Sequence, residues 1–208
     1  MAKWQENLHL APGMRVGILG GSFDPPHAGH VHLSLEALKR FDLDLVVWLV
    51  SPGNPLKPNP PAKMQRRIAA ARSLITHPRI RVSDFEMRHR TRFTHETLQA
   101  LQTEWPACHF VWLMGADNLS QFHRWDNWRG IMQTVPVGVL ARPGLRIAAR
   151  NSVASRVFRA SRLSGKQSRL LPIGPVPRWC FVNMPMRDIS SSEIRNSGAW
   201  SREPDTKS

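Results

Sequence analysis

The sequence predicts an α/β fold: a doubly wound parallel sheet with helices on both faces. Three observations carry that expectation. Short continuous apolar runs recur along the chain, bounded by glycine, proline or polar clusters, as strands buried on both faces are. Segments with apolar residues at helical spacing lie between them. The two kinds of run alternate, which is the pattern of βαβ units.

Met14–Gly20 (MRVGILG) is the first buried strand. It ends in glycines and a Gly20–Pro26 turn, where glycine allows a sharp bend and close backbone approach. From His30 to Phe41, residues Val31, Leu35, Leu38 and Phe41 share one helical face, and Lys39 and Arg40 suit a helix C-terminus. Residues 43–51 (LDLVVWLVS) form the second strand. The loop PGNPLKPNPP is too rich in proline to be helical. Ala62–Ile75 returns to helix, residues 80–85 give a third short strand, and Thr94–Trp105 is a helix stopped by Pro106.

His109–Gly115 (HFVWLMG) is the fourth strand, and residues 118–133 hold one or two short helices. Val135–Ala141 is the fifth strand, closed by Arg142, Pro143 and Gly144. Residues 145–171 mix helix formers with arginines and carry the weakest pattern. Arg178–Asn183 is a late strand, and a final helix starts at Ser191. In such a sheet, ligands bind beyond the carboxyl ends of the strands, where strand order reverses.

Composition bounds the partners. The chain has 208 residues, 41% hydrophobic and 21% charged, enough for a packed core. No apolar run approaches the ~20 residues that span a bilayer, so no membrane partner is expected. Two cysteines, Cys108 and Cys180, make no disulfide framework, and a reduced, cytoplasmic protein is expected. The net charge is +14, unevenly spread: residues 127–187 carry 11 basic residues and no acidic one. Such a stretch fits nucleic acid, a membrane surface or phosphorylated small molecules. Part of it is expected to face anionic substrates.

Two elements carry chemistry. GGSFDPPHAGH (residues 20–30) puts His27 and His30 three residues apart at a helix start, where N–H groups and the dipole favour phosphate. The plain alternative is two surface histidines beside His32. Zinc binding lacks a nearby cluster of cysteine or carboxylate ligands. Far away, ISSSEIR (residues 189–195) starts another helix. Ser190 and Glu193 fit a capping box there, while the serine hydroxyls and Arg195 also suit a triphosphate.

Together, GSFDPPHAGH after the first strand and ISSSEIR after the last resemble the HxGH nucleotidylyltransferase superfamily, with Ser192 in place of the usual threonine. Three further stretches narrow the resemblance: SPGNPLKP (51–58), RFTHETL (92–98) and MGADNLSQFHRWDNW (114–128). In this order they resemble bacterial nicotinate-nucleotide adenylyltransferases. The resemblance covers residues 14–198 as one nucleotidylyltransferase domain, with residues 1–13 as a leader and 199–208 as a disordered tail.

The resemblance implies a Rossmann-like fold and adenylyl transfer from ATP to nicotinate mononucleotide, with Mg²⁺ accompanying ATP. Nucleic acid would not be an obligatory partner, and the sequence leaves oligomeric state open. His27 and His30 would contact the ATP phosphates, His30 at the reacting α-phosphate. Gly20, Gly21, Ser22, Phe23, Gly115, Asp117 and Ile189 would line the ATP site; Ser191, Ser192 and Arg195 would hold the β- and γ-phosphates. On the other substrate, Lys57 would reach phosphate and Trp125 would stack on the pyridine ring. Backbone N–H groups near Thr94 would receive the nicotinate carboxylate. Asp117 would bind a ribose or cap the helix beginning at Asn118. Asp24 would hold its turn, and Trp48, Trp105 and Trp112 would pack in the core or at helix ends. The rival readings are transfer to nicotinamide mononucleotide or phosphopantetheine, or a basic nucleic-acid-binding protein.

Overall fold

A computed structural model describes residues 8–53, 60–141, 149, 151–185 and 191–200. Its centre is a seven-stranded, wholly parallel sheet of order β3-β2-β1-β4-β5-β7-β6. The strands are β1 (Arg15–Gly21), β2 (Leu45–Val50), β3 (Ile80–Ser83), β4 (His109–Gly115), β5 (Val137–Ala141), β6 (Arg162–Leu163) and β7 (Trp179–Asn183). The helices are α1 (Ala28–Arg40), α2 (Met64–Leu74), α3 (Phe85–His89), α4 (Thr94–Glu104), α5 (Ala116–Gln121), α6 (Trp128–Thr134), α7 (Val153–Val157) and α8 (Ser191–Asn196). Strand order runs outward from β1 through β2 to β3, then returns to β4 on its other side. The reversal lies between β1 and β4.

Strand side chains alternate between faces, and the core divides accordingly. Val16, Ile18, Val47, Leu49, Trp112 and Met114 join one cluster with Phe85, Leu98, Leu119 and Ile131 from α3 to α6. Leu19, Val46, Trp48, Val111 and Leu113 join the other with Leu33, Ala37 and Ile68 from α1 and α2. Trp48 is fully buried because its indole N–H has a partner, the Ser34 hydroxyl of α1 at 2.8 Å.

Several boundaries differ from the sequence reading. β1 runs through Gly21, and neither Gly20 nor Gly21 has a left-handed φ; Phe23 does, at 46°. β3 stops at Ser83, whose hydroxyl accepts the Phe85 N–H and turns residues 84–85 into the start of α3. β5 begins at Val137, because Val135 closes α6 and Pro136 has no N–H for a ladder. The weakly patterned region contains α7, a 3₁₀ turn at Arg159–Ser161, the edge strand β6 and a 3₁₀ segment at Gly165–Leu170. Leu8 and Leu10 of the leader pack against the core. No helix among the described residues is long and apolar enough to cross a membrane.

Candidate active site

A cavity of about 740 Å³ opens at the carboxyl ends of the strands. Leu19–Phe23 from the end of β1 and Gly115–Asn118 from the end of β4 line it, so it straddles the reversal of strand order. It is large enough for substantial small molecules.

His27 and His30 line it on the side of α1. His27 is the N-cap of α1, and its Nδ1 accepts the Gly29 N–H at 3.1 Å. His30, one turn in, accepts the His27 N–H on its own Nδ1 at 3.2 Å. The rings lie 3.8 Å apart between centroids. With both Nδ1 atoms accepting, each neutral ring carries its proton on Nε2 and is a donor there. His32 takes no part in the site: its Nε2 meets the Pro185 carbonyl at 3.0 Å.

The backbone between β1 and α1 is held from several sides. Phe23, left-handed and buried, stacks on Trp48 at 4.8 Å. Asp24 does more than hold its turn. Its Oδ1 accepts the Ala62 N–H at 3.3 Å and the Trp200 indole N–H at 2.8 Å, and its carbonyl accepts from Arg195. Arg67, a residue the sequence reading missed, is fully buried on α2. Its guanidinium donates to the carbonyls of Ala62 (2.7 Å), Ser22 (2.6 Å), Ser51 (2.8 Å) and Pro52 (3.5 Å). It thereby ties the loop after β1 to the loop after β2. Burial pulls its pKa down, partly opposed by Asp24.

The far wall is built by α3, α4 and α5. Gly115 is the N-cap of α5. Asp117 therefore lies inside the first turn and is not a cap for Asn118; it is exposed and lines the cavity. Thr94 is the first residue of α4 and also lines the cavity. The Glu96 carboxylate accepts the Arg92 and Phe93 N–H groups at 2.9 and 3.1 Å, which holds it below the usual carboxylate range. The first helical bond joins Thr97 N–H to the Phe93 carbonyl, so Thr94, His95 and Glu96 present N–H groups without an intrahelical acceptor. Trp125 is half-buried, edge-on to Phe122 and Trp112 at 5.3 and 6.1 Å, and lines the same cavity.

The sequence reading also missed Glu86. It lines the cavity at 7% exposure, with one carboxyl oxygen 3.4 Å from the Thr97 hydroxyl. Burial pushes its pKa up to about 7, the Thr97 contact opposing slightly. A single buried Glu in a helix-like stretch leaves no spacing signal, which is why pattern reading passed over it.

From the second motif, Ser191 lines the cavity, and its hydroxyl donates to the Pro25 carbonyl at 2.9 Å. Arg195 donates to the Asp24 carbonyl and to Ser192 Oγ, the latter at 3.1 Å. Lys57, Ile189 and Ser190 lie outside the described residues, as does the tail from residue 201. Gly20 is explained by packing: a Cβ there would collide with the Trp112 indole. At Gly21 a Cβ would meet only the Phe23 ring, at 3.4 Å. Of the basic stretch, Arg142, Arg146, Arg150 and Arg187 lie outside the described residues. Among its described residues no Arg or Lys lines the cavity, whose lining cations are Arg92 and Arg124. No group of three metal-ligating side chains occurs among the described residues.

Known proteins resemble this chain in sequence and in fold. Residues 18–197 match the cytidylyltransferase-like family. A protein of Ruegeria sp. (strain TM1040), named a probable nicotinate-nucleotide adenylyltransferase, is 62% identical over 90% of this chain and 99% of its own length. A relative with the same name from Parvibaculum lavamentivorans is 47% identical over 92% of this chain and 96% of its own. In fold, the chain resembles Plasmodium falciparum nicotinic acid mononucleotide adenylyltransferase complexed with NaAD. The TM-score is 0.65 at 19% identity, covering 88% of this chain and 83% of the other. Sequence, sheet order and motif placement converge, and the chain belongs to the nicotinate-nucleotide adenylyltransferase family.

Proposed function

We propose that the protein transfers the adenylyl group of ATP to nicotinate mononucleotide, giving nicotinate adenine dinucleotide and pyrophosphate in NAD biosynthesis. The observation that carries this reading is one cavity holding two histidines locked as Nε2 donors on one wall, and Thr94 and Trp125 on the other. A phosphate suits the first wall, and a flat ring bearing a carboxylate suits the second.

In this reading a 5′-phosphate oxygen of the mononucleotide attacks the α-phosphorus of ATP. The new P–O bond forms as the bond from that phosphorus to the α,β-bridging oxygen breaks, and the oxygen leaves with pyrophosphate. The nucleophile is already ionised, so no general base is required. Catalysis consists of positioning and charge stabilisation in an in-line displacement. His30, with His27 behind it, donates toward the α-phosphate. Ser191, Ser192 and Arg195 serve the β- and γ-phosphates, and Arg195 exchanges its Asp24 carbonyl for a phosphate oxygen. Gly20, Gly21, Ser22, Phe23 and Gly115 let the nucleotide approach the backbone, and Asp117 accepts from a ribose. Magnesium would accompany ATP, held mostly by phosphates and water rather than by protein side chains, and would neutralise phosphate charge. We place the reaction in the reducing cytosol, since Cys108 and Cys180 are both unpaired.

The test is pyrophosphate release by purified protein with Mg-ATP and nicotinate mononucleotide, nicotinamide mononucleotide or phosphopantetheine in turn. Release with the first above the others is expected, and chelation of magnesium should stop it. No release with nicotinate mononucleotide would overturn the reading.

A further inference from the structure

We propose that Glu86 sets how the site discriminates a pyridine carboxylate from its amide: its side chain walls the carboxylate end of the cavity and admits an anionic ring only while it carries a proton. The inference rests on the functional reading above and concerns the same site.

Three features of geometry support it. Glu86 lines the same cavity as Phe93, Thr94 and Trp125. Its carboxyl approaches Thr97, which sits three residues, ~4.5 Å of helix rise, along α4 from Thr94 and the N–H groups of the first turn. The Thr97 hydroxyl also lies 2.9 Å from the Thr91 hydroxyl and 3.2 Å from the Phe93 carbonyl. It has one proton to give. A protonated Glu86 donates to Thr97, which then donates to the Phe93 carbonyl, and every group in the chain is satisfied. An ionised Glu86 competes with that carbonyl for the single Thr97 proton. It also brings a negative charge behind the N–H groups that would hold the substrate carboxylate.

Of the charged groups on the elements around Glu86, Arg88, His89 and Glu96 are engaged elsewhere. On α3 and its cap, Arg88 pairs with Asp84 at 2.9 Å. His89 pairs with Glu104 of α4 at 2.9 Å. On α4, Glu96 is engaged by two backbone N–H groups, with His95 beside it on the first turn. Strand β2, packed beneath α3, carries no charged residue. Arg92, Arg124, Asp117, Asp126, His27 and His30 line the wider cavity. Burial already favours the protonated carboxyl, with a pKa of about 7. A bound anion beside it raises that preference further, so the acid substrate binds with proton uptake and the amide does not.

The experiment measures kcat/KM for both mononucleotides from pH 6 to 9, in the unmutated protein and in Glu86→Gln. The two substrates share a 5′-phosphate, so its titration cancels in their ratio. The acid-over-amide ratio should fall above about pH 7, by up to about tenfold per pH unit if only the protonated form admits the acid. In Glu86→Gln the ratio should be flat. A flat ratio in the unmutated protein, or the same slope in both, overturns the inference while leaving adenylyl transfer standing. Absence of any turnover with nicotinate mononucleotide overturns the functional reading and this inference with it. Should Glu86→Gln fail to fold, calorimetry on the unmutated protein at pH 8 decides, using two buffers of different ionisation enthalpy. Greater proton uptake with the acid than with the amide is expected, and equal uptake refutes the proposal.

Discussion

His30 Nδ1 accepts the backbone N–H of His27 at 3.2 Å, and that bond fixes which nitrogen of His30 can serve a substrate. The same contact caps α1, so structural and chemical roles can be separated by choice of replacement. Asn keeps a short side-chain acceptor for the His27 N–H but has nothing at the position of Nε2. His30→Asn should therefore fold with less than about 1 kcal/mol of loss, while turnover falls by roughly 10²–10³. Pyrophosphate release and urea denaturation of the same preparation check both halves.

Arg195→Ala should raise the KM for ATP far more than the KM for the mononucleotide. The side chain lies on α8, whose first residue Ser191 lines the cavity, and it donates to the Asp24 carbonyl and Ser192 Oγ. Losing one charge-assisted contact to phosphate corresponds to roughly 1.5–3 kcal/mol, or about 10- to 150-fold. Steady-state kinetics with each substrate varied is the measurement, and an unchanged KM and kcat for ATP would remove Arg195 from the site.

Arg67→Met should destabilise the fold by about 3 kcal/mol or more, because it strands the buried carbonyl of Ala62 and the part-buried carbonyls of Ser22 and Ser51, which have the guanidinium as donor. Lys in its place keeps the charge but cannot reach several carbonyls in one plane, so it should recover only part of the loss. Urea midpoints of the three proteins give the comparison.

Glu86 makes stability depend on pH with a definite sign. Its folded pKa, about 7, is above its ordinary 4.5. The folded state thus holds more protons than the unfolded state between those values, and stability falls as pH rises from 4.5 toward 7, then levels. Glu86→Gln removes that loss. It should match the unmutated protein at pH 4 and exceed it at pH 8 by roughly 1–3 kcal/mol. Chemical denaturation at the two pH values is the check, and equal stabilities at pH 8 would refute the assigned shift.

Trp125→Ala should weaken nicotinate and nicotinamide mononucleotides alike, by about 5- to 150-fold, since either ring can stack against the indole. The acid-over-amide ratio should largely survive, because in the proposed function the N–H groups that meet the carboxylate belong to the start of α4. Kinetics with both substrates decides; a collapsed ratio would move discrimination to Trp125.

The sequence by itself determined the architecture and the two histidines. Apolar strands such as LVVWLV and HFVWLMG are continuous and bounded, so their positions follow from composition over a few neighbours. His27 and His30 were legible because their relation is local: three residues on one helix start fix their distance. Boundaries decided by a single capping contact were less so, as at Ser83, where one hydroxyl turns the chain from strand to helix. What only the tertiary structure decided is long-range. Gly20 is needed because of Trp112, 92 residues later, and Asp24 gathers Ala62, Arg195 and Trp200. Arg67 acts through carbonyls on two other loops. Glu86 acquires its raised pKa from burial that only the closed packing of α3 against the sheet and α4 provides. Such properties depend on which neighbours exclude water, and neighbours distant in sequence meet only when the chain folds.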